Sequence, residues 1–316
     1  MTPPAGLDVR VGPVDAQADA YAHVWAGAPD RTAFTHPAFL DAICGVYGRQ
    51  LELATAWQDA TPIAACAFVQ HRLGPLRRVV VPPLTPYLAP IVTPAAVPGT
   101  VQALLAAAQE RAGSAVFQPP PGADLGAYEA AGFTTLLRET HWGPLTADLV
   151  SLRAASRNVR RTLRDSTVDV RLEDGAQGAA AVGRWAAAAF TQKEEASPLV
   201  PEQVADLVAR VRAAGLAQVL VAREAGAETG AVAVATDGRT AHVWAGGSAP
   251  GAAMTALVVS AMRWAHASGH TAVDLAGANL PDVAEFKRRF GVPLQTHVRA
   301  EWTGSTALRV LTGLRR

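Results

Sequence analysis

Ala272–Gly291 reads AVDLAGANLPDVAEFKRRFG, and this stretch decides how the chain is organised. A short apolar run closes on an acid, Asp274, passes through Gly277 and Asn279, and enters a helix. Pro281 suits the first helical turn, where its missing N–H has no partner to lose. Asp282 and Glu285 fall at the positive end of that helix, and Lys287, Arg288 and Arg289 at its negative end. Phe286 and Phe290 lie four apart on one face with Val283, and Gly291 supplies a left-handed stop. The segment thus predicts a strand-to-helix switch that holds one acid and one lysine, and polar side chains at the end of a strand are a common way to build a site.

Reading backwards from this switch, a long helix is expected over about Ala252–Ser268. Before it come strands at Thr240–Ala245, Ala231–Thr236 and Ala217–Arg223, with Asp237-Gly238 as a strong hairpin signal. Helices at Pro201–Ala214 and Ala176–Thr191 precede these. The first half shows a similar order. Strands at Leu51–Trp57 and Ile63–Gln70 flank a hairpin signal. A proline-rich stretch, Val79–Pro94, cannot be helical. Then follow an Ala-rich helix (Val97–Ala112), a strand (Ser114–Gln118), a short helix ending at Ala130–Phe133 and a strand over Thr134–Trp142. A repeated α+β unit of roughly 140 residues accounts for the pattern better than one large domain. The hairpins argue against a purely parallel sheet. Boundaries are expected at 1–150 and 151–316.

Ser151–Ser166 (SLRAASRNVRRTLRDS) joins the halves. As a continuous helix at about 100° per residue it gathers Arg153, Arg157, Arg160 and Arg164 in one arc, with Arg161 alongside. Leu152, Ala155, Val159 and Leu163 form the docked face. Guanidinium groups in a row suit phosphate or carboxylate through bidentate contacts, or serve as a solvated face.

The strand ending in D-L-x-G, followed by F-K-x-x-F-G, resembles the second half of the FemABX-type peptidyltransferases, whose two domains share the GNAT (N-acyltransferase) fold. The resemblance runs from about Phe34 to Trp302, with its specific motifs in Asp274–Gly291. It implies an α+β fold of two tandem GNAT domains, each a mixed, mostly antiparallel sheet flanked by helices. The implied activity is transfer of an acyl or aminoacyl group onto an amine, by direct attack on an activated carbonyl. In that reading Phe286 and Lys287 match the family's F-K pair at the transfer site, and Lys287 stabilises the developing charge. Arg157, Arg160 and Arg161 would hold phosphate. Tyr87, in a proline-fixed loop, matches a residue beside the family's acceptor pocket, or else packs.

The residues themselves leave alternatives for Asp274, which as a general base needs burial to raise its pKa and as a cap needs only nearby amides. Asn279 and the amides around Gly277 are candidates for polarising a carbonyl. Glu194 and Glu195 are a further candidate base. GNAT enzymes that use acyl-CoA hold its pyrophosphate on a glycine-rich helix start. The corresponding place, Gly246–Met254, has Pro250 and lacks the leading Gln or Arg. Aminoacyl-tRNA is therefore the favoured donor and acetyl-CoA the alternative, with no tightly bound cofactor. The acceptor is an amine: a cell-wall precursor, a peptide or an amino sugar. A non-catalytic protein binding through its arginine helix is the reading outside enzymology.

The bulk composition fits a buried globular protein: 316 residues, half of them hydrophobic and 17% charged. With 28 Lys+Arg against 27 Asp+Glu, net charge points to neither DNA nor a membrane. Cys44 and Cys66 provide neither a disulfide framework nor metal spacing, and no metal site is expected. No apolar run reaches the roughly 18 residues of a membrane helix, so a soluble, cytoplasmic protein is expected. The basic tail Thr306–Arg316 could touch an anionic surface.

Overall fold

The computed structural model describes residues 6–192 and 200–304. Glu194, Glu195 and the Thr306–Arg316 tail lie outside the described residues. The chain divides into two compact units, one holding Met1–Leu137 with His297–Arg316 and the other Arg138–Thr296.

In the first unit β1 (Leu7–Pro13), α1 (Val14–Gly27) and α2 (Pro37–Tyr47) precede the hairpin β2 (Gln50–Gln58) and β3 (Thr61–Leu73). Next come β4 (Leu76–Val79), β5 (Ile91–Val92), α3 (Thr100–Arg111), β6 (Ser114–Phe117), α4 (Gly126–Ala130) and the start of β7 (Thr134–Pro144), which belongs to the second unit from Arg138 on. The second unit contains α5 (Ala147–Val150), α6 (Arg157–Arg164), β8 (Asp169–Leu172), α7 (Ala176–Gln192) and α8 (Pro201–Ala213). It continues through β9 (Ala217–Glu224), β10 (Ala227–Thr236), β11 (Thr240–Ser248), α9 (Ala253–Ala267), β12 (Ala272–Asp274) and α10 (Pro281–Arg288) to β13 (Leu294–Thr303), which belongs to the first unit from His297 on.

Both sheets are mixed and mostly antiparallel. In the first, β1–β2–β3–β4 run antiparallel and β4 then pairs β6 in parallel through Arg78–Ser114 and Val79–Ala115. In the second, β8–β9–β10–β11 run antiparallel and β11 pairs β12 in parallel. Each sheet is closed by a strand from the other half of the sequence. Residues 300–303 of β13 pair β6, and residues 142–144 of β7 pair β12. The compact units are therefore discontinuous along the chain, whereas a sequence boundary at 150/151 treats each as continuous.

Apart from the helix joining the halves, the expected second-half elements form, and so do those from Leu51 to Trp142. The repeat is fuller than the sequence indicates, because β1, α1 and α2 stand in the first unit where β8, α7 and α8 stand in the second. These elements carry weak patterns. α1 buries only Tyr21 and Val24, and α2 is set by its ends, with Pro37 at its start and Gly48 at φ +61° at its close.

Each unit has its own core. Phe68, Phe117, Phe133, Leu104 and Leu105 pack in the first; Leu257, Val259, Met262, Val273 and Phe290 pack in the second. Full burial of one such side chain contributes about 1.5–3 kcal/mol. Both cysteines are buried and free, and burial pushes the Cys44 thiol up to about 12. Among the described residues no helix is long and apolar enough to cross a membrane, and no His, Cys, Asp or Glu group is arranged to hold a metal ion.

One expected element is broken. Ser151–Ser166 is not a continuous helix; only Arg157–Arg164 is helical. Leu152 takes φ +64° and turns its side chain into the second core, which ends α5. Ser156 then restarts the chain as an N-cap, its hydroxyl accepting from the Val159 amide. Arg153 consequently leaves the stripe and pairs with Asp148 at 3.2 Å.

Candidate functional site

The site grows out of the parallel ladder of β11 and β12. Its rungs are Thr240–Ala272, Ala241–Val273 and His242–Asp274. There β12 ends, while β11 runs on to Ser248 against β10. Ala233–Ala245 and Val234–Val243 are successive partners, so Trp244 is an extra residue in β11. Bulges of this kind re-aim strands beside active sites. Gly246 and Gly247 then allow close approach. A Cβ on Gly246 would lie 2.1 Å from the Ala231 oxygen, and one on Gly247 2.2 Å from that of Trp185.

At the last rung lies a buried charged cluster. The Asp274 carboxylate accepts from the Thr140 hydroxyl at 2.6 Å and the Ala276 amide at 2.8 Å through Oδ1. Its Oδ2 lies 2.9 Å from His242 Nδ1. On the far side of the ring, Asp237 Oδ2 is 3.8 Å from His242 Nε2. Asp237 is the first residue of the expected hairpin turn, and its Oδ1 accepts from the amides of Arg239 and Thr240 at 2.8 and 2.7 Å. The edge of Trp142 closes over the imidazole.

Burial alone would lower the pKa of His242, but its contacts with Asp237 and Asp274 outweigh this and raise it to about 9. Burial would likewise raise both carboxyls, yet the charge of His242 and the hydrogen bonds that each carboxylate accepts bring each below its ordinary value. The cluster is an imidazolium between two carboxylates at neutral pH. A lowered pKa disfavours Asp274 as a proton acceptor, and its geometry is that of a cap, made to the amide of Ala276.

Beyond Asp274 the chain makes a left-handed turn through Ala276 (φ +50°) and Gly277 (φ +39°). β7 clamps the turn from outside. The Leu275 amide donates to His141 and the Ala278 amide to Glu139, while Asn279 Oδ1 accepts from the Glu139 amide at 3.1 Å. Lys287, in the last turn of α10, reaches back across it. Its ammonium donates to the carbonyls of Ala276 and of Gly277, the latter at 2.7 Å. Phe286 packs edge-on against the fully buried Phe290 and anchors this helix. The chain has only two lysines, Lys193 and Lys287. Against so strong an arginine bias, the rarity of lysine is a second signal for the residue that the F-K motif already singles out.

The arginine helix lies against the end of α10. The Ser156 amide donates to the Arg289 carbonyl at 2.8 Å, and a Cβ on Gly291 would lie 2.5 Å from the Ala154 oxygen. Arg157, Arg160 and Arg161 are all exposed. Arg160 folds back onto the carbonyls of Leu152 and Ala155, and Arg161 reaches Asn158. Lys287, Asp274, Asn279, Phe286 and the three arginines thus belong to the second unit. Tyr87 belongs to the first, where it is 1% exposed and its ring meets Phe34 and His297. That is a packing position. His242 and Asp237 are the residues the sequence reading misses, because their partnership spans a hairpin and a parallel ladder.

α9 starts about where the sequence reading expects it, at Ala253, with no side chain capping it, and Pro250 lies before its first turn.

Comparison with known proteins agrees with this architecture. Residues 151–288 match the family model "Acetyltransferase (GNAT) domain". Among solved structures, that of FemX aligns with a TM-score of 0.68 at 11% identity, over 92% of this chain and 96% of that one. The C-terminal domain of a putative lysylphosphatidylglycerol synthetase from Agrobacterium fabrum aligns with a TM-score of 0.58 at 15% identity, over 95% of each chain. A tandem GNAT protein from the clavulanic acid biosynthesis pathway gives 0.56 at 14% identity, over 95% of this chain and 99% of that one. No curated protein sequence matches the chain.

Proposed function

We propose that this chain, an acyltransferase with a GNAT domain over residues 151–288 and a FemABX-like fold, moves an aminoacyl group from aminoacyl-tRNA onto an amine acceptor. One observation carries the reading. The start of α6, whose arginines are exposed, is tied through the Ser156 amide to Arg289 just past α10, two residues from the only lysine among the described residues. A phosphodiester donor would lie on the guanidinium face while its ester carbonyl reaches the turn held by Lys287. The acceptor nitrogen attacks that carbonyl, the C–N bond forms and the C–O bond to the ribose breaks. The departing oxygen takes up the proton that the nitrogen gives up. Lys287, whose ammonium donates to the carbonyls of Ala276 and Gly277, brings a positive charge to the turn where the oxyanion would develop. Asp274 and Asn279 position this turn, and Phe286 anchors its helix. A cell-wall precursor, a peptide and an amino sugar each carry a suitable amine.

A second reading has its own support in the uncapped start of α9. Its amides and helix dipole would suit a pyrophosphate, as an acetyl-CoA-dependent N-acetyltransferase requires. The deciding experiment offers the protein radiolabelled aminoacyl-tRNA or acetyl-CoA, each with the same panel of amine acceptors. Label leaving the charged tRNA in a manner abolished by Lys287→Ala is the expected result. Transfer from acetyl-CoA alone would replace the donor, and transfer indifferent to Lys287→Ala would refute the role of the lysine.

A further inference from the structure

We propose that His242 is a positioning residue for this site: held between Asp237 and Asp274, it fixes the turn on which the Lys287 ammonium rests. The inference builds on the reading of Lys287 as the group at the transfer centre. Three ionisable side chains are buried together at one rung of the sheet, with His242 and Asp274 both 0% exposed. Buried ion pairs of this kind are weak sources of stability, because desolvation offsets most of their attraction. An apolar pair on the same rung would hold the ladder as well. What an apolar pair lacks is direction.

Asp274 is restrained on both oxygens: Oδ2 by the ring of His242, Oδ1 by the Thr140 hydroxyl and the Ala276 amide. Ala276 is the residue that leaves the strand with positive φ, and its carbonyl receives the Lys287 ammonium. Asp237 holds the ring from the other side and is itself pinned by two turn amides. A continuous set of contacts therefore leads from the β10–β11 hairpin through the last rung to the lysine. His242 touches no surface where a substrate can arrive; its effect passes through Asp274 and the turn.

Having only two lysines makes the test direct. Trace acetylation of the full-length protein with acetic anhydride, read by mass spectrometry, gives the reactivity of the Lys287 amine relative to Lys193. His242→Gln is expected to raise the Lys287 to Lys193 ratio at least three-fold. It should lower kcat at least ten-fold while donor KM stays within two-fold. Asp237→Asn keeps an oxygen for the two turn amides but removes the charge facing the ring, so it serves if His242→Gln fails to fold. It should move both readouts the same way by a smaller amount. An unchanged labelling ratio and kcat in a folded variant overturn the proposal. If Lys287→Ala itself leaves transfer intact, the functional reading fails, while the labelling ratio still reports whether His242 holds the turn.

Discussion

The two units use one element order to different ends, and the difference lies just past the parallel ladder. In the first unit the ladder stops at Val79–Ala115, and the proline-rich chain then folds back along the end of β6. Leu88 bridges Gln118, and Tyr87, Leu88 and Ala89 are buried. Five prolines between Pro82 and Pro94 keep this stretch from becoming helix. In the second unit the ladder stops at His242–Asp274, and β11 instead passes through a bulge and two close-packed glycines straight towards α9. The first unit fills the place after its ladder with its own side chains, and the second sets charged groups and a lysine-bound turn there. A duplicated scaffold has one copy that packs past its ladder and one that, on the proposed reading, carries the transfer site there.

This contrast predicts that damage to the two units separates stability from activity. Phe117, fully buried against Phe68 and Phe133 in the first unit, should cost about 3–5 kcal/mol of stability as Phe117→Ala. Chemical denaturation would measure this, and kcat per folded molecule at low temperature should stay near the wild-type value. Lys287→Ala in the second unit should do the reverse. Its transfer rate should fall by about 10²-fold, the scale of losing one charge-stabilising donor, with little change in the unfolding midpoint. A Phe117→Ala enzyme that is folded but inactive would erase the division of labour.

The units should also answer pH through different groups. His242 has its pKa raised to about 9 by two carboxylates, against about 6.5 unfolded. Its contribution is fully present below about 6.5 and is lost as pH rises through 9, on the order of 1–3 kcal/mol. Asp237 and Asp274, held low by the same contacts, keep their contribution above the ordinary carboxyl range and lose it only in acid. In the first unit burial lowers His36, so acidification below its unfolded value works against folding there. Hydrogen exchange resolved by peptide should show β11 and β12 loosening first as pH is raised from 7 towards 10. His242→Gln should flatten that slope, and an unaltered slope would mean that the imidazolium is not its source.

How much of this is legible in the sequence depends on the range of the interactions. The Ala272–Gly291 switch reads well because every determinant is local: Pro281 at the helix start, the Phe286–Phe290 pair, Gly291 at its close. The hairpin at Asp237-Gly238 is local too. The break at Leu152 is not, since nothing within Ser151–Ser166 forbids a helix. The chain gives up several helical bonds there because Leu152 finds the core of the second unit and Ser156 offers a fresh cap. The exchange of β7 and β13 is invisible for a related reason, as strand patterns carry no record of their partner. Lys287 and Asp274 were reachable by motif, but the anchoring of Asp274 by His242 and Thr140 joins residues 32 and 134 positions away. No spacing rule reaches that far.

The smallest expected effect tests whether the arginine face of α6 belongs with the chemistry or only decorates the surface. Arg157 and Arg161 are exposed, and the Ser156 amide at the start of this helix is bound to the end of α10. Replacing both by serine removes two charges but no core contact, so stability should change by less than about 0.5 kcal/mol. If they meet donor phosphates, the affinity for tRNA should fall roughly ten-fold. The slope of log affinity against log salt should shrink by about 1.5, as two counterion-releasing contacts disappear. Salt dependence is the sharper readout, because a general loss of fold or a blocked acceptor site would weaken binding without changing the slope. A slope equal to wild type would leave α6 as a solvated face. The second unit would then need another surface for its donor, and the start of α9 would be the place to look.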